Sequence, residues 1–544
     1  MATVPGTLAS PAPRRYTGLM EWLTTVDHKK IGLLYIWTSF FFFLVGGVLA
    51  LFIRLELAQP GLQVMSTQAY NEFFTMHGTT MIFLFVVPIF AGFGNYVIPL
   101  MVGARDMAFP RLNAFSYWMA LSGGIVLYSS FLFPLGASGA GWTGYTPLST
   151  SVFSKGEGTT VWILGLLLVG TSSLAGAINF IVTIMNMRAP GMTMARIPLF
   201  AWGIMATSIM VLFSTPVLTG ALIMLLTDRL GLTAIFAAAS NIDPRLWQHM
   251  FWFYSHPAVY IMILPAMGII SEVLPVFSRK PIFGYMAIAY SSVAIAVMGF
   301  LVWAHHMFTT GIAPQLKAFF MIATMAIAVP TGVKIFNWIA TLWGGRLNFK
   351  TPLLFAFGFL TMFVIGGISG IFQAIVPIDT QVHDSYYVVA HLHYVLFGGS
   401  VFGIFAGLYY WMPKMTGWML HEGWGKLHFW LMLIGFNLTF FPMHLLGLLG
   451  MPRRIADYNP NFGWTRYNDL ATVGAFLIAA SVLTFLINLY VSSERKVKAG
   501  NDPWQGNTLE WATSSPPPDY NFEVIPAVHS ERPVRDMRMA ARGQ

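Results

Sequence analysis

Polar and apolar positions in this chain follow one another in long blocks rather than with the short periods of an amphipathic helix or strand. Twelve blocks are predominantly apolar and at least about 20 residues long, the length that an α-helix needs to cross a bilayer. The pattern therefore predicts an all-α polytopic membrane protein with twelve transmembrane helices. The predicted spans are residues 31–55, 72–101, 113–135, 159–185, 198–226, 247–274, 282–308, 315–343, 352–377, 386–411, 427–449 and 470–492.

Composition agrees with this prediction, and charge orients the bundle. Of 544 residues, 56% are hydrophobic and 9% charged, whereas a soluble protein carries about a quarter charged residues. Most lysines and arginines fall on the side of both chain ends, and cytoplasmic loops collect such residues, so both termini are expected in the cytoplasm. We expect a cytoplasmic N-terminal segment at 1–30, a membrane core at 31–492 and a polar cytoplasmic tail lying on the surface at 493–544.

Six of the 13 histidines fall inside predicted spans at one depth. At about 1.5 Å of rise per residue they share roughly the outer third of the bilayer. Ionisable residues inside a membrane are usually functional. The chain has no cysteine, so a metal must be bound by His, Met or oxygen ligands. We interpret the six as metal ligands rather than unrelated core histidines: His77, His256, His305, His306, His391 and His393.

The stretch from Val382 to His393 opens the tenth predicted span and carries two of these histidines. His391 and His393 stand about 200° apart around a helix, so they can serve two separate metals but not one. His77 with one of them could ligate an iron from both sides, while the other could hold a second iron from one side. For this stretch alone, two histidines hydrogen-bonded inside a bundle remain the alternative.

The other three histidines form a second pattern. His305 and His306 are adjacent at the end of the seventh span, and His256 lies at the same depth on the sixth. Three nitrogen ligands leave an open coordination position, which suits the binding and activation of a small molecule.

Many segments, in order along the chain, resemble subunit I of the haem–copper oxidases. The resemblance covers about residues 20–493 and is closest to the A-type cytochrome c oxidases. It implies the catalytic subunit of a respiratory terminal oxidase that reduces dioxygen to water with electrons from cytochrome c and pumps protons. The matching segments are Met76–Gly78, Gly94–Tyr96, Asp106–Arg111, Tyr254–Tyr260, Trp303–Met307, Pro330–Lys334, His383–His393 and Met451–Arg454.

The resemblance also implies the cofactors: a low-spin haem a, a high-spin haem a3, copper B and a magnesium ion. It assigns His77 and His393 to the low-spin iron and His391 to the high-spin iron. It assigns His256, His305 and His306 to copper B. Tyr260 would be a catalytic residue covalently linked to His256, and their i, i+4 spacing puts both on one helix face.

Further residues match the family around the haems. Arg54 matches the arginine that hydrogen-bonds the formyl group of haem A. Trp142, Arg453 and Arg454 match residues near the haem propionates, and guanidinium groups suit carboxylates. His383 and Asp384 match a magnesium site completed by another subunit, for which the aspartate oxygen is the fitting ligand.

Dioxygen reduction consumes protons inside the membrane, so polar routes are required. A buried lysine in a span is a functional candidate, and Lys334 with Thr324 and Ser271 resembles the family's K-type channel, which would end at Tyr260. Asp106 resembles the start of the D-type channel. The residues that match its lining are Asn95, Asn113, Asn179, Ser172 and Ser173.

The sequence departs from the commonest family pattern beside the copper ligand. Ala258 stands where a glutamate is usual, and Tyr254-Ser255 precede His256 instead. This Tyr-Ser-His-Pro arrangement resembles the A2 branch, in which the tyrosine hydroxyl takes the place of the glutamate. A tyrosine pKa of about 10 makes it a poor carrier of a full charge, so we expect it to relay protons through water.

The expected partners are a subunit II with a di-copper centre, a subunit III, cytochrome c, dioxygen and the lipid bilayer, without nucleic acid. The expected location is a bacterial-type inner (cell) membrane. A quinol oxidase of the same fold is the alternative. A nitric oxide reductase fits less well, because Tyr260 and the Lys334 and Asp106 routes indicate a proton-pumping oxidase. A twelve-span transporter predicts inverted repeats and sites at mid-membrane, whereas these histidines lie off-centre.

Overall fold

Twelve helices of the described chain are long and apolar enough to cross a membrane, which confirms the predicted all-α architecture. The computed structural model describes residues 17–237, 240 and 242–542. Residues 1–16 of the predicted N-terminal segment and 543–544 of the predicted tail lie outside them. The helices are α1 His28–Glu56, α2 Thr67–Val102, α3 Pro110–Leu132, α4 Gly158–Asn186, α5 Leu199–Arg229, α6 Arg245–Ser278, α7 Tyr285–Met307, α8 Pro314–Leu342, α9 Thr351–Ala374, α10 Tyr386–Thr416, α11 Glu422–Leu448 and α12 Thr465–Arg495.

Most helices that follow one another in the chain pack side by side, but α3 packs against α1 and α4 rather than α2, and α12 returns to α1. The helix α6 buries almost its whole apolar window, whereas α8 exposes most of its own. Between α1 and α2 the backbones nearly touch: a Cβ built at Gly32 would lie 2.8 Å from the backbone nitrogen of Tyr96, and one at Gly92 would lie 2.9 Å from that of Ile36. Small residues allow this approach, which matters because lipid offers no hydrophobic force to join helices.

Local departures from regular α-helix lie beside the histidines. A π-helical segment, Thr80–Val86, follows His77 in α2, and another, Leu396–Val401, follows His393 in α10. The helix α7 ends in 3₁₀ turns at Trp303–Met307, which contain His305 and His306. Such irregular turns inside helices are frequent at functional sites.

Twelve crossings bring residues 17–27 and 496–542 to one side of the bundle, which we call the terminal side; the other is the far side. The predicted surface tail is in fact packed into the terminal side. Leu509, Glu510 and Trp511 are buried, and the indole nitrogen of Trp511 donates to the hydroxyl of Tyr410 at 3.0 Å. The polar, Pro-rich composition hid this because the apolar residues of the tail are few and widely spaced.

Candidate functional site

Three imidazoles from α6 and α7 converge on one point. The ligand nitrogens of His256, His305 and His306 all lie within 4.8 Å of one another, and Nδ1 of His256 is 3.1 Å from Nε2 of His306. Thr324 on α8 donates its hydroxyl to a backbone carbonyl and lies 3.0 Å from Nδ1 of His305. Its oxygen therefore accepts from Nδ1–H, and Nε2 of His305 is left as the ligand atom.

Two aromatic neighbours complete this triad. The indole of Trp252 stacks on His306 with ring centroids 3.7 Å apart and planes 6° apart. Tyr260 lies one turn after His256, with ring centroids 4.7 Å apart at 67°. Nε2 of His256 is buried and has no hydrogen-bond partner among the described residues. His256 thus presents Nδ1 to the triad and keeps Nε2 free on the helix face that it shares with Tyr260.

The three remaining histidines predicted as metal ligands share one hydrogen-bond pattern. Nδ1 of His77 lies 2.9 Å from the carbonyl oxygen of Gly46, and Nδ1 of His393 lies 2.7 Å from that of Val389. Nδ1 of His391 lies 3.0 Å from a backbone carbonyl of α9. Each ring therefore carries its proton on Nδ1 and offers Nε2, which is the usual arrangement of a metal-ligating histidine.

His391 and His393 point to different neighbours, as their spacing predicts. His391 faces α9, where a Cβ at Gly370 would lie 2.8 Å from its Cε1, so only glycine leaves room for the ring. The ring of His393 stacks on Phe440 of α11, with centroids 4.2 Å apart, and lies near His77.

Buried arginines surround this region. Arg54 is 5% exposed; its NH2 donates to the side-chain oxygen of Asn468 at 2.8 Å, whereas its Nε and NH1 have no partner among the described residues. Such orphaned donors are costly unless a bound group accepts from them. Arg54 therefore fits a polar substituent of a cofactor.

Arg453 and Arg454 lie in the far-side loop after α11. Burial and, second to it, the neighbouring Arg453 lower the pKa of Arg454 to about 10. Arg454 also has a left-handed backbone, with φ of 67°, and its guanidinium packs against Gly141 beside Trp142. A crowded positive pair of this kind gains from an anionic group, so these residues fit carboxylates such as propionates.

The predicted magnesium residues are already engaged in the chain. The carboxylate of Asp384 forms an ion pair with Arg453. Burial opposes ionisation of Asp384, but Arg453 and His383 outweigh burial and lower its pKa. Nδ1 of His383 lies 2.9 Å from a carboxylate oxygen of Asp379, a partner that the sequence analysis missed although its i, i+4 spacing was visible. His383 and Asp384 offer at most two ligands, so a cation here needs ligands from elsewhere.

Lys334 is buried in α8, and its ammonium group donates to the hydroxyl of Ser292 on α7 at 2.6 Å. Ser292 was not predicted. One turn along α8, the indole nitrogen of Trp338 donates to the hydroxyl of Ser271 at 3.0 Å. Thr324 lies beside His305 rather than beside Lys334, so the three predicted residues extend from the terminal side up to the histidine triad.

Asp106 lies in the terminal-side turn between α2 and α3. Burial raises its pKa to about 6, although the backbone N–H of Met107 donates to it and partly offsets that rise. The side-chain amide of Asn179 forms two hydrogen bonds with the backbone of Phe109, at 2.9 and 3.0 Å. Asn179 therefore fixes the loop that follows Asp106.

Above Asp106 the structure contains a cavity lined by Asn95, Ser172 and Ser173. The side-chain oxygen of Asn95 and both amide atoms of the nearby buried Asn113 have no partner among the described residues. Two lining residues escaped prediction: the Tyr35 hydroxyl lies 3.1 Å from those of Ser172 and of Ser116. Unpartnered buried amides beside a polar cavity are places for ordered water.

A second cavity adjoins the first, because Ser173 lines both. Tyr254 lines the second cavity, and its ring stacks on Phe83 with centroids 6.2 Å apart. The hydroxyl of Ser255 is buried without a partner among the described residues. The two cavities together extend from Asn95 to Tyr254, which lies two residues before the triad ligand His256.

Comparison with known proteins agrees with this geometry. The family model described as cytochrome c and quinol oxidase polypeptide I matches residues 30–477. Cytochrome c oxidase subunit 1 of Thermostichus vulcanus is 55% identical, covering 92% of this chain and 90% of the relative. The corresponding protein of Bacillus subtilis is 50% identical, covering 96% and 84%.

A cryo-EM structure of a haem–copper terminal oxidase dimer has the same fold. Its TM-score is 0.73 at 21% identity, and the match covers 86% of this chain and 84% of that one. The resemblance found in the motifs is therefore confirmed at the level of the family. The chain belongs to the cytochrome c and quinol oxidase polypeptide I family, the catalytic subunits of haem–copper terminal oxidases.

Proposed function

We propose that this chain is the catalytic subunit of a proton-pumping cytochrome c oxidase of the A2 branch, which reduces dioxygen to water. The observation that carries the proposal is the convergence of His256, His305 and His306 beside Tyr260. The relatives are named cytochrome c oxidases, which favours cytochrome c as the electron donor. The family description also includes quinol oxidases, so quinol is the second candidate donor.

The histidines would hold three metals. We assign His77 and His393 to the low-spin haem a, His391 to the high-spin haem a3 and the triad to copper B. When bound, these groups supply the electrons and the coordination position for dioxygen. The chain's own part is to fix each ligand nitrogen: backbone carbonyls hold the protons on Nδ1 of His77, His391 and His393.

Tyr260 would hold a proton on its hydroxyl beside the triad and deliver it to the reaction. A covalent bond from its ring to Nε2 of His256 would form by the loss of one hydrogen from each partner, and dioxygen would accept the two electrons and two protons released. The free Nε2 of His256 supports this role. Around the haems, Arg54 would donate to a formyl oxygen, and Arg453, Arg454 and Trp142 would bind propionates.

Two proton routes would begin on the terminal side, which we propose to be cytoplasmic. One runs from Ser271 past Lys334 to Tyr260, and Thr324 lies at the end of this route beside the triad. The other runs from Asp106 to Tyr254 and Ser255, which stand in for the missing glutamate. The residues along this second route are Asn95, Asn113, Asn179, Ser172 and Ser173.

The remaining proposals concern the assembly. A subunit II with a di-copper centre would deliver electrons on the far side, and it would supply the missing ligands for magnesium at His383 and Asp384. A subunit III completes the complex in a bacterial inner (cell) membrane. The membrane-spanning fold and the bacterial relatives support this location.

A reduced-minus-oxidised optical spectrum of the purified complex tests the function. We expect bands of two haems of the A type, one copper bound by this chain and near-infrared absorbance from a di-copper centre. Turnover with reduced cytochrome c but not with a quinol would support the assigned donor. The absence of any haem band would refute the oxidase function, and turnover with quinol alone would refute the donor.

A further inference from the structure

The segment at 513–528 crosses the terminal side of the bundle, directly over the loop of Asp106. Its central residue, Asn521, is fully buried and has a left-handed backbone, with φ of 67°. The hydroxyl of Thr513 donates to the carbonyl of Asn521 at 2.6 Å, and the backbone N–H of Val528 donates to the carbonyl of Pro190 at 2.9 Å. The segment is thus fastened on both sides of Asn521.

The side chain of Asn521 connects this segment to two other parts of the chain. Its Nδ2 donates to the carbonyl of Ala104 at 2.8 Å and to that of Arg105 at 3.3 Å. Its Oδ1 accepts from the ammonium group of Lys29 at 3.1 Å. The same amide lies 2.8 Å from Nε2 of His28. Asn521 therefore ties the two residues before Asp106 to the first residues of α1.

Two of the residues that Asn521 contacts, His28 and Lys29, also face Asp106. The backbone N–H of His28 and that of Met107 donate to the carboxylate, and the charges of Asp27 and Lys29 lie close to it. The ammonium group of Lys29 also donates to the carbonyl of Asp519 at 3.0 Å and pairs with Asp27 at 3.1 Å. Asn521 is therefore one of three groups that hold the Lys29 ammonium group, and it also holds the two backbone carbonyls just before Asp106.

We propose that Asn521 is a positioning residue for proton uptake: it holds Asp106 and the Lys29 ammonium group in the geometry in which the carboxyl can pass a proton from water to the cavity above. The inference rests on the proposed role of Asp106. An asparagine is suited to the position because it donates to two carbonyls and accepts from a cation at once. The raised pKa of Asp106, about 6, suits a group that exchanges protons near neutrality.

The test uses the full complex, with turnover on reduced cytochrome c and proton pumping measured in vesicles. Asn521→Leu removes the donors and the acceptor at similar volume, and we expect turnover and pumping to fall about threefold or more. The haem spectrum and the KM for cytochrome c stay unchanged. Asn521→Asp keeps the shape and the acceptor but loses the donors, so it should act in the same direction if Asn521→Leu does not assemble. Asn501→Ala, an exposed asparagine of the same tail, is the matched control and should behave as the parent.

Coupling to Asp106 separates positioning from general destabilisation. If Asn521 acts through Asp106, the double variant with Asp106→Asn is no slower than Asp106→Asn alone, because interacting sites are not additive. Parent-like turnover and pumping of Asn521→Leu, or losses that multiply in the double variant, would overturn the inference. Asp106→Asn alone tests the proposed route: if it pumps and turns over normally, the route is wrong, and slow turnover of Asn521→Leu would then have another cause.

Discussion

The predicted haem ligands on the far side and the buried asparagines toward the terminal side differ in how far their polar atoms are hydrogen-bonded. On the far side, His77, His391 and His393 each have Nδ1 held by a backbone carbonyl. Toward the terminal side, Asn113 leaves both amide atoms without partners in the described chain, and Asn95 leaves its oxygen so. We call the region of the three carbonyl-held histidines and the triad the rigid half, and the region of the cavity beside Asn95 and Asn113 the open half.

The proposed roles of the two regions, metal binding and proton transfer, would account for this difference. A metal needs ligands held in one orientation before it binds, since reorganisation costs affinity. A proton moves through hydrogen bonds that must form, break and turn, which requires water and side chains with spare donors and acceptors. Among the orphaned atoms of the rigid half, those of Arg54 and His256 lie where a cofactor or Tyr260 would meet them, so these two residues fit the same explanation.

The largest expected effect tests the rigid half. His306→Ala removes one of three triad nitrogens, so copper should be lost from this chain and turnover should fall more than about 100-fold. Both haems should stay, because their ligands lie on other helices. Copper content by mass spectrometry and the optical spectrum measure this. The control is His529→Ala, an exposed residue of the tail. Full copper content in His306→Ala would show that the triad is not the copper site.

The next effect concerns Lys334 and separates it from its neighbour. Lys334→Met removes the buried ammonium group, and turnover should fall about 100-fold because a proton carrier is lost. Ser292→Ala removes only the hydroxyl that receives the 2.6 Å hydrogen bond, so it should cost about threefold. Turnover with both haems intact is the measurement. Equal losses in the two variants would mean that the serine, and not the lysine alone, carries the proton.

A smaller effect is expected where water can replace a side chain. Tyr254→Phe should slow proton uptake and pumping about tenfold while leaving the haem spectra intact, because the hydroxyl is lost but the adjoining cavity is kept. Ser255→Ala is the matched variant on the same turn and should have a weaker effect. Unchanged pumping in Tyr254→Phe would contradict the role assigned to its hydroxyl and, with it, the A2 assignment.

The sequence predicted the rigid half better than the open one. The spans and six histidines were visible because apolar blocks and ligand depth are local properties of the chain. The contact of Tyr35 with Ser172 joins positions 137 residues apart, and Asn521 reaches Ala104 across 417. Nothing in the local pattern marks such pairs, since each residue alone reads as an ordinary polar residue in a span or a tail.

The last prediction is a pH dependence of proton uptake through Asp106, in the open half. Burial raises the pKa of Asp106 from 3.8 to about 6. Below that pH the folded carboxyl holds a proton that it can pass on; as pH rises through about 6, the protonated fraction falls, so uptake should drop about fivefold between about pH 6 and about pH 7. The same shift means that Asp106 favours the folded state at low pH, and that this contribution is lost between pH 3.8 and about 6. A turnover profile of the parent and of Asp106→Asn checks this: the step near pH 6 should vanish in the variant, whereas a profile that keeps it would place the titrating group elsewhere. The predicted haem ligands are held by backbone carbonyls rather than by titrating groups. The haem spectra should therefore not change across this step.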